Sequence, residues 1–324
     1  MPLAYNYIME IGSSIFLVAF AVNYMIGRKT NEKVASTFAR TFRDLFSSEF
    51  SVVGTNGAVL VKESQHTFRL NATGRAYVQG IQVNLRLARR HDLLARLYNQ
   101  FWVPGRDLVD IQIAMNEEHM ESIVFGLSKN RDAREITKAF PDLSAYTKSI
   151  KIPQDQPKTE ATLDASVWTA MAEVKEILPL LFDTSSKTIL NRYKDYVRLV
   201  HITDQYSEHK EYKKVLQLVF YLPPADRIEE LRSLLKMTFH LIDTIAKVKL
   251  PPQIKQSIEK ARSKILTDEQ KEAMEQRKEE LEKQKLEKRR EKMKNMDANE
   301  RADFEEKEKA RKLNKRMKKV AIKA

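Results

Sequence analysis

The chain has 324 residues, no cysteine, and 57 Lys plus Arg against 44 Asp plus Glu, a formal net charge of +13. The lack of cysteine excludes a disulfide-stapled scaffold, a thiol nucleophile and a thiolate-ligated zinc or iron–sulfur centre. The charge divides as −1 over residues 1–27, +5 over 28–155, +1 over 156–259 and +8 over 260–324, so the basic end differs in kind from the middle, where a 42% apolar composition can build a core.

Residues 11–26 read IGSSIFLVAFAVNYMI, sixteen residues without a charge and roughly 24 Å of helix. A bilayer core is about 30 Å thick. Starting the helix at Leu3 lengthens it to roughly 36 Å and brings Glu10 inside near one end. Arg28 and Lys29 follow the run, and Tyr5, Tyr7 and Tyr24 stand where interfacial aromatic residues belong. The expectation is a membrane anchor over residues 1–27, carried by Ile11, Ile15, Phe16, Leu17, Val18, Phe20, Val22 and Ile26. Its short N-terminus lies across the membrane and everything from Arg28 onward lies in the cytosol. A cleavable signal peptide would carry its basic residues before the apolar run, and the remaining alternatives are a buried core helix or a mis-sized signal sequence. Asn71-Ala72-Thr73 is the sole N-x-[ST] acceptor, and with the middle domain in the cytosol Asn71 carries no glycan.

Residues 28–152 read as an α+β lobe. Val34, Phe38, Phe42, Leu45 and Phe46 give one helix over 30–50. Two short strands, 51–53 and 58–61, flank the Gly54-Thr55-Asn56-Gly57 turn and suit a hairpin. From Ala76 to Leu87 the period is two, with Ile81, Val83, Leu85 and Leu87 opposite Gln82, Asn84 and Arg86 and with Tyr77 out of phase. A helix over 91–101 should turn Leu93, Leu94, Leu97, Tyr98 and Phe101 inward, Asp92 acting at its start as a cap. Strands at 108–115 and 122–127 and a helix over 130–139 stopped by Pro141 complete the lobe. The fold class expected is α+β with a mostly antiparallel sheet and packed helices in two lobes.

Pro153 and Pro157 mark 153–164 as a linker or long loop. A second α+β lobe over 165–250 starts with a helix at 167–181. Strands at 196–202 and 215–222 form a hairpin around the charged stretch Asp204–Lys214, ended by Pro223-Pro224. Its spine is an amphipathic helix from about Asp226 to Lys249 that buries Ile228, Leu231, Leu234, Leu235, Phe239, Ile242 and Ile245, with Met237 filling a core gap.

Pro251-Pro252 opens the basic tail, 251–324, beyond which neither Pro nor Gly recurs. Residues 267–320 have the composition of one helix, roughly 81 Å if continuous, with apolar spacing too irregular for a good coiled coil. KLEKRREKMK over 285–294 and seven basic residues over 311–323, with no acid among them, are dense cationic faces. Phosphate polymers, an anionic leaflet and plain solvation all remain open as their counterpart. Catalytic patterns are missing from the sequence: His66, His91, His119, His201, His209 and His240 form no metal-binding pair, and no phosphate loop or nucleophile elbow occurs. No enzyme and no cofactor are expected.

Several strings resemble a known family. Gly74-Arg75, GIQVNLRLARRHDLLARLYN over 80–99, IQIAMNEEHMESIVFGL over 111–127, YVRLVHITDQYS over 196–207 and the LRSLLKMTFHLIDTIAK helix are similar to the calumin family, the coiled-coil-domain subunits of the PAT (protein associated with translocon) complex. The resemblance runs from Thr30 to the end of the chain. It implies a single-pass endoplasmic reticulum membrane protein whose cytosolic domain and tail dock on the ribosome beside the Sec-type translocon and other multipass translocon components. With an Asterix-like small membrane subunit, it would act as an intramembrane chaperone for nascent multipass membrane proteins. By position the resemblance implies that Lys285, Lys288, Arg289, Arg290, Arg311, Lys312, Lys315, Arg316, Lys318 and Lys319 contact ribosomal RNA near the exit tunnel. The family's long acidic lumenal segment has no counterpart before this span, where Glu10 is the lone acid, so low-affinity calcium binding is not expected.

Overall fold

Forty-eight residues, Pro2–Glu49, form a single helix, α1, in the computed structural model, which describes residues 2–55, 57–101, 105–150, 152, 162–206 and 212–265. The expected anchor and the helix after it are therefore one rod. No proline interrupts the run, and Gly27 stays helical. Along its second half Asn31, Ala35, Phe38, Phe42 and Phe46 recur at spacings of three and four, and all five are buried, which is the stripe that packs one helix face on a core.

That core lies on one face of a mixed-length antiparallel sheet. Its strands are β1 (Val52–Val53), β2 (Val61–Lys62), β3 (Thr67–Thr73), β4 (Val78–Arg86), β5 (Leu108–Met115), β6 (Phe125–Lys129), β7 (Lys148–Ile150), β8 (Trp168–Ala172), β9 (Val197–Thr203) and β10 (Val215–Tyr221). The order across the sheet is β1-β3-β4-β5-β10-β9-β6-β8-β7, with β2 also on β3. Register places Leu70, Val83, Ile111, Leu218, Val200 and Leu127 in one row, and α1 and α7 (Glu230–Lys247) supply the apolar layer over this face. Two arginines tie these helices together. Arg232 at the start of α7 donates to Asp44 Oδ2 (2.9 Å) and the Thr41 carbonyl (2.7 Å). Arg75, placed after Gly74 at φ +86°, pairs with Glu49 and donates to Asp243 Oδ2 at 2.9 Å. The Gly74-Arg75 string thus fixes the end of α1 against α7.

Strand β5, the β9–β10 hairpin and α7 agree with the sequence-based expectation, and every residue expected to be buried on α7, Met237 included, is buried. Other elements differ. Strands β1 and β2 pair with β3, which went unrecognised, and only the Thr55–Ala58 bridge remains of the expected hairpin; the longer β3 offers a ladder that two dipeptides cannot offer each other. Tyr77 falls out of phase because its φ is +69° and a bulge follows between Val78 and Gly80. Strand β6 starts three residues later than expected. Pro141 does not merely stop a helix: α3 (Ala133–Ala139) ends and α4 (Pro141–Tyr146) begins at it, with Pro at the first turn where its missing N–H costs nothing. The helix expected at 167–181 is β8 followed by α5 (Ile177–Leu181), because β6 and β7 pair on both edges of Trp168–Ala172 and override its helical composition. A further helix, α6 (Thr184–Arg192), was not anticipated and is capped by Asp183, whose side chain accepts from the Ser186 N–H at 2.9 Å.

Strands from both expected lobes interleave, since β5 pairs with β10 and β6 lies between β9 and β8. The stretch 153–164 therefore does not separate two sheets; residues 153–161 of it, like 207–211 of the charged hairpin loop, lie outside the described residues. By compactness the chain falls into two units, Met1–Arg262 and Ser263–Ala324.

Candidate membrane-anchoring site and its seat in the domain

From Met9 to Val22 α1 is bare. Ile11, Ile15, Phe16, Leu17, Val18, Phe20, Val22 and Ile26 are all exposed, Leu17 to 66%. Each large apolar side chain left in water forgoes roughly 1.5–3 kcal/mol of burial, a loss that a hydrocarbon environment removes. By length and composition the helix from Met9 on is able to cross a membrane, and almost none of its most apolar stretch is buried, unlike a core helix.

Where the bare half meets the packed half, Asn23, Gly27 and Asn31 share one face at intervals of four. Asn23 Nδ2 donates to the carbonyls of Arg90 and His91, both at 3.3 Å, and its Oδ1 accepts from Arg96 at 2.9 Å. Gly27 allows backbone contact, since a Cβ there would overlap the Arg90 carbonyl. Asn31, wholly buried, donates to the carbonyls of Gln65 (3.0 Å) and Ala88 (3.1 Å) and accepts from Arg90 at 2.9 Å. Arg90 in turn forks onto Asp107 at 2.9 and 2.7 Å, the planar geometry that suits guanidinium and carboxylate. Loop 88–91 is thereby latched to α1 at the end of its apolar run. Sequence reasoning missed this latch, although asparagine and glycine residues repeating every fourth position in an apolar helix were its visible trace.

From that loop springs α2 (Leu93–Phe101). Asp92 caps it as expected, its Oδ1 accepting from the N–H groups of Leu94 (3.0 Å) and Ala95 (3.1 Å). Its apolar stripe points the other way from the expectation: Leu94, Leu97, Tyr98 and Phe101 are exposed rather than inward, and Leu93 is half-buried. Periodicity reveals that a helix has an apolar face but not what covers it.

The sheet's second face is polar at one end. Asn71, Gln82, Gln112, Gln217 and His201 form a cross-strand row. Beside it the buried Asp110 accepts from Gln217 Nε2 at 2.9 Å and from Arg86 at 2.8 Å. Asn71, Gln82, Gln112, Tyr206 and Tyr212 line a depression of about 420 Å³ there. At the other end α3 and α4 cover the face through Ile136 and Leu143, and His201 Nε2 meets Asp142 Oδ2 at 2.7 Å. Burial alone would raise the Asp142 pKa, but the bonds from His201, the Thr203 hydroxyl and the Leu143 N–H outweigh it and hold the carboxyl below its ordinary value. Of the other histidines, His66 stacks on His91, His119 meets the Tyr77 ring and His240 faces Asp183, while His209 lies outside the described residues. Among the described residues no three His, Asp or Glu side chains converge as a metal site.

At its last residue the first unit carries a second latch. Arg262 bonds Glu173 at 2.6 and 3.0 Å and Asp204 at 2.7 and 2.9 Å, with its guanidinium 5.6 Å from the Tyr146 ring centre. Both carboxylates are buried. Burial disfavours the cation, yet the two carboxylates raise its pKa well above the ordinary arginine range. The basic residues expected to bind the ribosome, Lys285 to Lys319, lie outside the described residues.

Compared with known proteins, residues 6–315 match the family model of PAT complex subunit CCDC47. Over 205 residues, 60% of this chain and 41% of the relative, the chain is 29% identical to the PAT complex subunit CCDC47 of Homo sapiens. The Xenopus laevis protein of that name is also 29% identical over 205 residues, 40% of its length. An uncharacterized protein of Arabidopsis thaliana is 33% identical over 155 residues, 46% of this chain and 32% of the relative. The chain thus spans well under half the length of the curated relatives it matches.

Proposed function

Because this chain belongs to the PAT complex subunit CCDC47 family, we propose that it is a non-enzymatic, single-pass subunit of a ribosome- and translocon-associated complex of the endoplasmic reticulum membrane. In this reading it works with an Asterix-like small subunit beside the Sec-type translocon as an intramembrane chaperone for nascent multipass proteins, with its C-terminal domain in the cytosol. The observation that carries the reading is the continuity of α1. One uninterrupted helix presents bare apolar side chains from Ile11 to Ile26 and then, from Asn31, becomes part of the core. An anchor fused to the domain without a linker, and latched by Asn23, Gly27 and Asn31, holds that domain at the bilayer surface. The basic residues of the tail, among them Arg289, Arg290, Arg311 and Arg316, are the proposed contacts with ribosomal RNA, by charge neutralisation of phosphates.

Ribosome co-sedimentation from detergent-solubilised membranes tests the proposal. The intact chain should pellet with ribosomes and lose binding steeply as salt rises, because each neutralised phosphate releases counterions; deletion of residues 267–324 should abolish the association. Retention without the tail would move the contact to the folded domain. Binding by neither form would leave a membrane tether whose tail meets anionic lipid or another protein.

A further inference from the structure

One end of the sheet lies level with the latch on α1, and it holds a buried cation without a close counter-ion. We propose that Lys129, Arg106 and Tyr221 form a site for a phosphate group, supplied by the headgroup of an anionic lipid in the leaflet beside the domain. Lipid as the source rests on the reading that α1 crosses the membrane.

Position follows from the latch. Asn31 holds the Ala88 carbonyl, and Arg90 forks onto Asp107 at the entry to β5. The Asp107 carbonyl accepts from the Leu222 N–H at 2.8 Å, just past β10, and the Tyr196 carbonyl, just before β9, accepts from the Tyr221 N–H at 2.6 Å. Strand β6 runs antiparallel to β9, so its last residue, Lys129, is at this same end of the sheet. Asn31 stands five residues beyond Ile26, about 7.5 Å along the helix. The headgroup layer outside the hydrocarbon core is itself about 5–7.5 Å thick, so this end of the sheet borders it.

The chemistry is that of an anion site. Lys129 is only 7% exposed, yet the carboxylate it pairs with among the described residues is Asp195, at 3.9 Å. That is too long for a hydrogen bond, and the Asp195 side chain is 87% exposed. Buried charges ordinarily have a partner in contact. Instead Lys129 Nζ lies 5.9 Å from the centre of the Tyr221 ring, and the Arg106 guanidinium lies 4.9 Å from the same centre. Burial first, and then the charges of Arg131 and Arg106, hold the Lys129 ammonium below its ordinary pKa, more than Asp195 and Asp132 restore. A phosphate oxygen against Nζ relieves both the desolvation and the repulsion. Arg106 is exposed beside it, and its planar fork suits a second phosphate oxygen. Anionic lipid is concentrated where basic residues meet the leaflet.

Lysine acylation reads the site, because only the free amine reacts, and each unit by which a bound anion raises the ammonium pKa slows the reaction about tenfold. The full chain is placed in nanodiscs of phosphatidylcholine, with or without phosphatidic acid, and labelled at neutral pH with an amine-reactive ester read by mass spectrometry. Lys194, exposed near the same end of the sheet, reports the general effect of an anionic surface. Phosphatidic acid should slow Lys129 several-fold more than Lys194, and Arg106→Gln should remove most of that difference. Equal slowing of the two lysines overturns the site. Inorganic phosphate added to phosphatidylcholine discs forms a separate arm: protection of Lys129 there, with none from phosphatidic acid, would make the ligand a soluble phosphate and overturn the lipid source. Protection only on adding ribosomes would assign the surface to nucleic acid and overturn the proposal. Val18→Cys in the same discs keeps the anchor apart, since reaction of its thiol with an aqueous maleimide would sink the span whatever Lys129 does.

Discussion

At the scale of single residues, Gly27 carries more than its missing side chain suggests. It is helical, so its value is not conformational freedom but clearance, since the Arg90 carbonyl sits where a Cβ would be. Gly27→Ala is expected to push loop 88–91 off α1 at a cost of about 1–3 kcal/mol, the usual range for overpacking, partly offset by the better helix propensity of Ala. Amide hydrogen exchange of the detergent-solubilised protein should show faster exchange at 88–96 and little change in α7; unaltered exchange at 88–96 would mean the latch is not tight. Asn71 sits half-buried in β3, its Nδ2 donating to Thr55 Oγ1 at 3.4 Å; labelling or protease protection reads the side of the membrane on which it lies.

At the scale of elements, the helix that begins at residue 252 is held by Arg262. Two buried carboxylates, Glu173 after β8 and Asp204 after β9, would face each other uncompensated without that guanidinium. Arg262→Ala should therefore destabilise the domain by about 3–5 kcal/mol, the cost of breaking a buried pair by removing one partner. Arg262→Lys should rescue only part of this, because an ammonium cannot fork onto both carboxylates. Urea unfolding of both variants would check the order; equal stability of Arg262→Lys and the parent would show that charge alone matters. Helix α2 and strand β8 illustrate opposite errors of local reading. For α2 the period of the apolar residues was legible and the direction of their face was not. For β8 the composition spoke for helix, and neighbours far along the chain made it a strand.

At the scale of the whole molecule, folding stability should be pH-dependent through the Asp142–His201 pair that ties α4 to β9. The folded state holds the Asp142 carboxyl below its ordinary 3.8, so the unfolded chain takes up that proton first as pH falls. The stabilisation is then complete above the ordinary carboxylate range and is lost as pH drops through the folded-state value. Thermal melting between neutral pH and pH 3 should show this acid loss. Asp142→Asn should be less stable near neutrality by about 1.5–3 kcal/mol, the worth of a hydrogen bond to a charged group, and should lose less on acidification. A variant whose acid limb parallels the parent would place the titration elsewhere. Strands β5 and β6 precede the proline-rich stretch, yet they take partners from strands that follow it, so one sheet runs through both expected lobes.

What the sequence determined by itself was whatever depends on near neighbours. The uncharged run of 11–26, the inward stripe of α7, the alternation of β5 and the Asp92 cap follow from residues within a turn or two of one another, where helix and strand periods act. Only the tertiary structure decided which apolar face is covered, which strands pair across 153–164, and which amides and arginines latch α1, α2 and residue 262 in place. Those outcomes are set by contacts between residues as far apart as Arg232 and Asp44, whose sequence separation of 188 leaves no local pattern to read, because burial and pairing energies belong to the assembled core rather than to any segment of it.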